Sequence, residues 1–352
     1  MKENGLKKNP LSFQLNVDDF LPAEAEEKQE QVIMRESVTY WKDGFQRLLK
    51  KKVAMTAFGV IILIFIFAFI APSFYPYSYE QQIRGSENLA PFQYSAEEEL
   101  LIDQGESVPP HPLGTDTLGR DMLIRVMMGT RISLMVGLVA SGLIAIIGTF
   151  YGAVAGFLGG RIDNFMMRIV DIIYTVPDIL IIILLMVTLK NPLNKLFATN
   201  PIFQPLSVLG VPLICIFIAF SLLYWVGMAR IIRGQVLMLK EQEFVTAAQA
   251  LGASRFRIIT RHLIPNCIGL IIVTTTLQIP AAIFTEAFLS FLGIGVNAPM
   301  PSLGSLAADA IGAIWSYSYL LIAPAVTISL VILAFNLFGD GLRDVFDPQL
   351  KE

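Results

Sequence analysis

The sequence has only two cysteines and two histidines among its 352 residues. Cys215 and Cys267 both fall in or beside apolar runs, which excludes a disulfide framework and a cysteine-rich metal site. His111 and His262 fall on opposite sides of the membrane in the predicted topology, so they cannot share a metal ion. We therefore expect this chain to bind no metal and no cofactor.

The sequence also lacks the patterns of common catalytic sites. It has no G-x-x-x-x-G-K-S/T phosphate loop, and no glycine is followed directly by lysine. Nucleophile elbows, H-E-x-x-H helices and paired carboxylates of a soluble cleft are missing as well. The chain is therefore not expected to be an enzyme, and it lacks the lysine and backbone cradle that a P-loop ATPase needs.

Charge is scarce, because only 16% of the residues are charged while 54% are hydrophobic and the mean hydropathy is +0.61. This composition is too apolar for a soluble domain and predicts an integral membrane protein. A membrane-spanning helix needs about 20 mainly apolar residues. Six such runs are predicted: 53–74, 132–158, 168–189, 207–228, 266–289 and 318–338. The first begins too late for a signal peptide, so we expect it to be retained.

The positions of Lys and Arg predict the orientation, because cytoplasmic flanks of spans carry an excess of both. Basic residues precede the first span and fill the loops after the second and fourth spans, whereas residues 290–317 have none. Both termini are thus predicted to be cytoplasmic. This placement also explains the basic residues without nucleic-acid binding.

The cytoplasmic loop 235–265 is the most informative segment of the chain. Residues 237–251 are good helix formers, and Phe244, Ala247, Ala248 and Leu251 recur at helical spacing, so we predict that they share one face. Gly252 is predicted to end that helix and Ser254 to cap the next, which runs through Arg255 and Phe256 toward Pro265. Composition alone would favour an ordinary surface helix here.

This loop resembles the EAA loop of ABC importer permeases, which reads Glu-Ala-Ala, three residues, Gly, then a later apolar-Pro pair. The matching residues are Thr246, Ala247, Ala248, Gly252, Ile264 and Pro265. Thr246 replaces the acidic residue of the pattern, and Glu243 lies one helical turn earlier. The resemblance implies a coupling site for an ATPase, with the candidate residues Glu243, Phe244, Thr246, Ala247, Ala248, Leu251, Gly252, Ser254, Arg255 and Phe256.

Three further segments resemble the second permease subunit of oligopeptide and dipeptide importers. They are 111–134 (HPLGTD, LGRD and GTRISL), 289–295 (LSFLGIG) and 339–348 (GDGLRD, then DP). The family implies a type I ABC importer permease fold that is all-α with six transmembrane helices. It also implies a second permease, two ATPase subunits that use ATP, and an extracytoplasmic peptide-binding protein as partners in the bacterial cell membrane.

The chain accordingly divides into four predicted regions. Residues 1–52 are a cytoplasmic tail and surface helix, and residues 53–131 hold the first span and a long extracytoplasmic loop. Residues 132–340 form the permease core, and residues 341–352 form a cytoplasmic tail. Within the long loop, Gly114 and Gly119 permit turns across which Asp116, Arg120 and Asp121 can pair, which favours a structural role over contact with the binding protein.

Several residues inside the spans are candidates for packing or for the translocation path. Gly148, Gly152, Gly156 and Gly160 recur every four residues and predict a close helix contact, within the chain or at the subunit interface. Asp178 and Glu286 are candidates to line the path, with structural pairing an equal alternative. Asp171 is expected to pair with Arg168, and Pro177 and Pro280 can kink their spans.

Two questions stay open from the sequence. Nickel, dipeptide and oligopeptide importers share this permease pattern, so the substrate is not specified beyond a preference for oligopeptides. An ion-coupled secondary transporter and a membrane-anchored scaffold are the rival classes. Transport that requires ATPase partners and ignores ion gradients distinguishes an importer permease from both.

Overall fold

The computed structural model describes residues 40–201, 203, 210–296 and 300–346. Over these residues the chain is helical apart from turns and one isolated bridge between Thr115 and Asp121. The acidic N-terminal tail and the Asp347-Pro348 ending lie outside the described residues. Residues Arg47–Glu352 form one compact unit, and the other unit, Met1–Gln46, is described only at the start of the first helix.

The helices are numbered here in chain order over the described residues. They are α1 Tyr40–Lys50, α2 Lys52–Phe65, α3 Ala96–Asp103, α4 Met122–Leu158, α5 Gly160–Thr175, α6 Asp178–Thr199, α7 Val211–Leu223, α8 Trp225–Leu239, α9 Glu243–Ala250, α10 Arg255–Ile258, α11 Ile264–Asn266, α12 Ile268–Phe291, α13 Leu303–Ala310 and α14 Tyr319–Phe346. A π-helical turn, Ile66–Ile70, and a 3-10 turn, Ala71–Phe74, continue α2.

Six helical segments are long and apolar enough to cross a membrane. They are Lys52–Phe74, Met122–Leu158, Asp178–Thr199, Val211–Leu239, Ile268–Phe291 and Tyr319–Phe346. The prediction of an all-helical protein with six spans is therefore confirmed. The orientation of the termini stays a prediction.

The second span begins at Met122, ten residues before the predicted start at 132. The predicted start was wrong because the sequence becomes continuously apolar only after Arg131, whereas the helix begins earlier and both Arg125 and Arg131 have partners in the structure. Arg125 pairs with Asp116, and Arg131 donates to the carbonyls of Ala68 and Phe69 at 2.9 and 3.1 Å. Charged side chains that are paired in this way can lie within a helix near the membrane boundary.

The third predicted span, 168–189, crosses a break between two helices. Helix α5 ends at Thr175, Val176 is extended, and α6 begins after Pro177. Proline disfavours helical geometry at the residue before it and lacks an N–H, so this proline separates two helices. By contrast, α12 continues through Pro280.

Helix α4 lies at the centre of the bundle. It packs most extensively on α8 and also contacts α12 and the π-helical turn after α2, while α14 packs on α2 and α12. Two glycines of α14 allow its close approach to α2 and α12. A β-carbon at Gly341 would collide with Ala54 of α2, and one at Gly339 would lie 2.6 Å from Leu277 of α12. The Gly-Asp-Gly ending thus brings α14 against α2 and α12.

Candidate functional site

The loop 235–265 forms three helical pieces joined by two sharp turns. Helix α8 ends at Leu239, and α9 begins at Glu243 with Gln242 as its N-cap residue. The prediction of one helix over 237–251 was therefore wrong, because the chain turns at Lys240–Gln242. The turn redirects the chain, so α9 is a separate short helix.

The turn after α9 is a Schellman motif at Gly252. The Ala253 N–H donates to the Ala248 carbonyl at 3.0 Å and the Gly252 N–H donates to the Gln249 carbonyl at 2.9 Å. Gly252 has φ +80°, a left-handed conformation that glycine adopts without strain. Both predicted caps are confirmed, because the Ser254 hydroxyl accepts from the Arg257 N–H at 3.3 Å and caps α10.

The predicted single face of α9 is divided in the structure. Ala248 is buried together with Val245, whereas Phe244 and Leu251 are exposed. Ala248 therefore packs toward the bundle and is not on the outward surface. The other candidates, Glu243, Thr246, Ala247, Ser254, Arg255 and Phe256, are all exposed.

The buried side of this segment rests on the two most closely packed spans. Val245, Ala248 and Ile258 share one apolar cluster with Ile144 of α4 and Val236 of α8. Helix α9 thus shares one buried cluster with residues of both helices. The outward apolar surface consists of Phe244, Ala247, Leu251 and Phe256, of which Leu251 is 88% and Phe256 73% exposed.

The connection from α10 to the fifth span is irregular. A π-helical turn, Ile259–Leu263, is followed by the single turn α11 that contains Pro265, and α12 begins after Cys267. Leu263 and Cys267 are buried in the same cluster as α9. This π-helical turn places a change of helical pitch between the exposed surface and a span, as is common at functional sites.

Three of the four predicted packing glycines lie on α4 and face α8. A β-carbon at Gly148 would meet Met228 at 2.5 Å, one at Gly152 would collide with the Ala229 carbonyl, and one at Gly156 would meet the Arg233 carbonyl at 2.9 Å. The face is therefore a contact within the chain. Gly160 does not belong to it, because it begins α5 with φ +56° and a β-carbon there would contact nothing.

Two ion pairs that the sequence did not predict tie α5 to α8. Asp163 binds Arg233 in a bidentate pair with two distances of 2.6 Å, and Asp171 binds Arg230 at 2.8 Å. The expected pairing of Asp171 with Arg168 was wrong, because α8 brings a second arginine to this carboxylate. These two pairs could not be predicted from the sequence, because the prediction depends on which helices pack together.

The two acidic candidates for the translocation path differ in environment. Asp178 is exposed at the start of α6 and accepts from the Tyr224 hydroxyl at 2.7 Å. Glu286 is completely buried, and Ser133 and Ser290 donate to its two oxygens at 2.8 and 2.7 Å. Glu286 thus ties α12 to α4 in this structure. A role in the path stays a prediction for both residues.

The long loop before α4 is held by a network of charges. Gly114 and Gly119 have positive φ, and Asp116 pairs with Arg120 at 2.7 Å and with Arg125. The predicted pairing across the turns is confirmed for Asp116 and Arg120. Asp121 instead caps α4 by accepting from the Ile124 N–H at 3.0 Å.

A buried histidine lies at the centre of this loop. The His111 ring bonds Asp121 through Nδ1 at 2.7 Å and Glu98 of α3 through Nε2 at 3.1 Å. Burial alone would lower the pKa of His111, but the hydrogen bonds and charges of the two carboxylates raise it above its ordinary value. Burial likewise opposes ionisation of Glu98, yet bonds from Ser95 and His111 lower its pKa.

Within the described residues, no group of three His, Cys, Asp or Glu side chains has the geometry to hold a metal ion. Cys215 and Cys267 are both free and buried.

Comparison with known proteins gives consistent results. Residues 148–352 match the family described as "Binding-protein-dependent transport system inner membrane component", and residues 39–91 match the "N-terminal TM domain of oligopeptide transport permease C". The chain is 41% identical to the oligopeptide transport system permease protein OppC of Bacillus subtilis over 95% of this chain and 97% of that protein. It is 42% identical to the dipeptide transport system permease protein DppC of the same organism, over 91% and 89% of the two chains. It is 34% identical to OppC of Escherichia coli strain K12, over 89% and 93%.

Proposed function

The chain belongs to the family of inner-membrane components of binding-protein-dependent transport systems, and from this premise we propose that it is a permease subunit of an ATP-driven oligopeptide importer. It is a multi-pass membrane protein and a transport subunit, not an enzyme. The observation that carries the proposal is the loop 235–265. There, a short helix exposes an apolar surface on one side and is packed against two spans on the other.

The proposed partners follow from what this chain has and lacks. It carries no phosphate loop, so ATP hydrolysis requires separate ATPase subunits, for which the surface of Phe244, Ala247, Leu251 and Phe256 is the docking site. A second permease would complete the translocation path. An extracytoplasmic binding protein would deliver the peptide.

The geometry suggests how ATP binding would act on the membrane helices. Closure of two ATPases would move α9 with its docked partner, and the cluster around Val245, Ala248 and Leu263 would carry that movement to α4, α8 and α12. Rigid packed elements transmit such a shift as a change between discrete arrangements. Peptide would then be received from outside and released inside.

Peptides are the proposed substrates because relatives of this chain serve oligopeptide and dipeptide transport systems. The dipeptide relative is as similar as the oligopeptide relative, so dipeptide import is the second candidate. Competition between labelled dipeptides and longer peptides in an uptake assay distinguishes the two.

The test uses Leu251→Asp in the full importer, because Leu251 is exposed and its replacement leaves the buried cluster intact. We expect loss of both peptide uptake and co-purification of the ATPase subunits, since a carboxylate on an apolar docking surface is left without a partner. Ile162→Asp is the matched control, because Ile162 is also exposed in a predicted cytoplasmic segment but lies outside the loop. This variant should keep both properties.

Two results would contradict the proposal. Normal uptake by Leu251→Asp would exclude the docking role of α9. Uptake that persists without ATPase subunits and follows an ion gradient would instead indicate a secondary transporter.

A further inference from the structure

Helix α3, in the long loop before the second span, buries a charged residue and exposes apolar ones, which is the opposite of an ordinary helix in a soluble domain. Its buried residue is Glu98, which is 5% exposed, whereas Leu100, Leu101 and Ile102 are 60%, 37% and 39% exposed. Consecutive residues lie about 100° apart around a helix, so these three apolar side chains point in different directions, and Leu100 is the most exposed of them. Contiguous apolar groups that are exposed on a structured helix indicate an interaction site.

Helix α3 is also held in a fixed position. A capping box closes its start, in which Ser95 and Glu98 each accept a backbone N–H of the other. The second oxygen of Glu98 bonds His111, which in turn bonds Asp121 at the start of α4. The exposed apolar residues are therefore presented from a rigid base that is tied to a membrane span.

The segment before α3 presents another apolar side chain. Phe92 is 68% exposed and has φ +63°, a left-handed conformation that is rare for a bulky residue. Its N–H donates to the His111 carbonyl at 2.8 Å, so the same histidine fixes this backbone. Strained backbone that keeps a large side chain exposed is typical of functional surfaces.

The charges around this surface select the kind of partner. Residues 96–106 carry five carboxylates and no Lys or Arg, and Glu97, Glu99 and Asp103 are exposed beside Leu100. Interfacial helices that bind membranes carry Lys and Arg on their polar side, and anionic lipid would repel these carboxylates. The complementary partner is a protein with an apolar recess rimmed by Lys and Arg.

We propose that α3 and Phe92 form a docking surface for the extracytoplasmic binding protein of the transport system. This inference rests on the proposed function, and it assigns that partner to a stated surface with a stated chemistry: apolar contacts to Leu100 and Phe92 inside a ring of basic side chains. Binding through a few buried apolar anchors with charged surroundings is the usual arrangement of protein interfaces.

The first experiment is photo-crosslinking in intact cells that express the complete system, with p-benzoylphenylalanine at position 100 and, as a matched control, at position 118. Leu118 is 47% exposed in the same loop but lies on the Gly119 turn, away from α3 in sequence. We expect the probe at 100 to crosslink to the binding protein and the probe at 118 not to. Crosslinks from 100 to lipid, to a second copy of this chain or to nothing would overturn the proposal.

The second experiment titrates the reconstituted importer with peptide-loaded binding protein and measures ATP hydrolysis. Leu100→Ser and the double change Glu97→Lys with Glu99→Lys should each raise the concentration for half-maximal stimulation about tenfold, since either removes a central anchor or reverses the charge of the rim. Leu118→Ser should leave it unchanged. Equal concentrations for all variants would refute the assignment.

Stimulation of the wild-type importer distinguishes a failure of the docking assignment from a failure of the proposed function. If the binding protein stimulates ATP hydrolysis by the wild-type importer but the α3 variants behave normally, the docking assignment fails and the proposed function stands. If the wild-type importer shows no stimulation at all, the proposed function itself fails.

Discussion

At the scale of single residues, His111 makes the loop before α4 sensitive to pH. The folded-state pKa of His111 is raised, so its bonds contribute stability fully below the unfolded pKa of about 6.5, and this contribution is lost as the pH rises through the folded value. Glu98 has a lowered pKa, so its contribution is present above its unfolded value and is lost as the pH falls through the folded one. The network is therefore most stable at pH values above the unfolded pKa of Glu98 and below the unfolded pKa of His111.

Hydrogen exchange over residues 95–121 measures this effect. We expect protection of the loop in the wild type to decrease as the pH is raised from below 6.5 into the alkaline range, after correction for intrinsic exchange rates. His111→Asn, which cannot become charged, should lower the protection and remove its decline over this range. A wild-type profile that matches the variant would show that His111 is not charged in the folded loop.

Gly252 permits a second prediction about one residue. A β-carbon at this position would meet no other atom, so the cost of Gly252→Ala comes only from the positive φ, which is about 1–2 kcal/mol for an alanine. We expect faster proteolysis of the turn between α9 and α10 and reduced peptide uptake. Gly252→Asn is the matched control, because asparagine tolerates this conformation and should retain most of the activity.

The residues that the sequence placed correctly are those with local partners. Gly252, Ser254 and the Asp116–Arg120 pair act within a few positions of one another, so their spacing predicted their roles. Contacts between distant segments were missed, as with Asp163 and Arg233, which lie 70 residues apart. Such a pair depends on which helices are neighbours, and that information is absent from local spacing.

At the scale of helices, the contact between α4 and α8 depends on the absence of side chains at three glycines. Gly152→Val should destabilise the protein by about 1–3 kcal/mol, because the new side chain would push against the Ala229 carbonyl of α8. Gly142→Ala is the control on the same helix, since a β-carbon there would contact nothing. Thermal unfolding of the purified protein in lipid nanodiscs compares the two.

Gly142→Ala shows whether any added side chain on α4 lowers the stability of the protein. If both variants lose the same stability, the cost would come from lipid contacts and not from the close approach of α8, since both replacements have a higher helix propensity than glycine. A loss confined to Gly152→Val would identify the packing contact as the cause.

Helix existence was predictable over the whole bundle, whereas several boundaries were not. A long apolar run is detectable without knowledge of its neighbours, and all six were found. The break at Pro177 divides a run that is mainly apolar, and the second span extends beyond its apolar part to include Arg125, which Asp116 neutralises. The turn at Lys240–Gln242 interrupts residues that all favour helix, so tertiary packing and not propensity decides it.

At the scale of the whole molecule, the proposed docking surfaces lie on opposite sides of the predicted topology and are joined by packed helices. Helix α3 is tied through His111 to the start of α4, and α9 in the loop 235–265 shares a buried apolar cluster with α4 and α8. Helix α4 therefore contacts elements that serve both sides. A single rigid helix with contacts at both ends is suited to coordinate delivery of a peptide with the movement of an ATPase.

The orientation of the chain gives the last prediction. Positions 92 and 251 are separated by three spans and positions 92 and 315 by four, so 92 and 315 must share one side and 251 must face the other. All three side chains are exposed, and both native cysteines are buried, so single cysteines at these positions can be labelled selectively. We expect a membrane-impermeant maleimide to label Phe92→Cys and Trp315→Cys in intact cells and Leu251→Cys only after permeabilisation. The wild type should stay unlabelled in both conditions.

Labelling of 251 alone in intact cells would invert the orientation, because the alternation of sides would hold while the positive-inside assignment failed. Labelling of 251 together with 315 would instead show that Ile268–Phe291 does not cross the membrane, and the six-span topology would have to be redrawn.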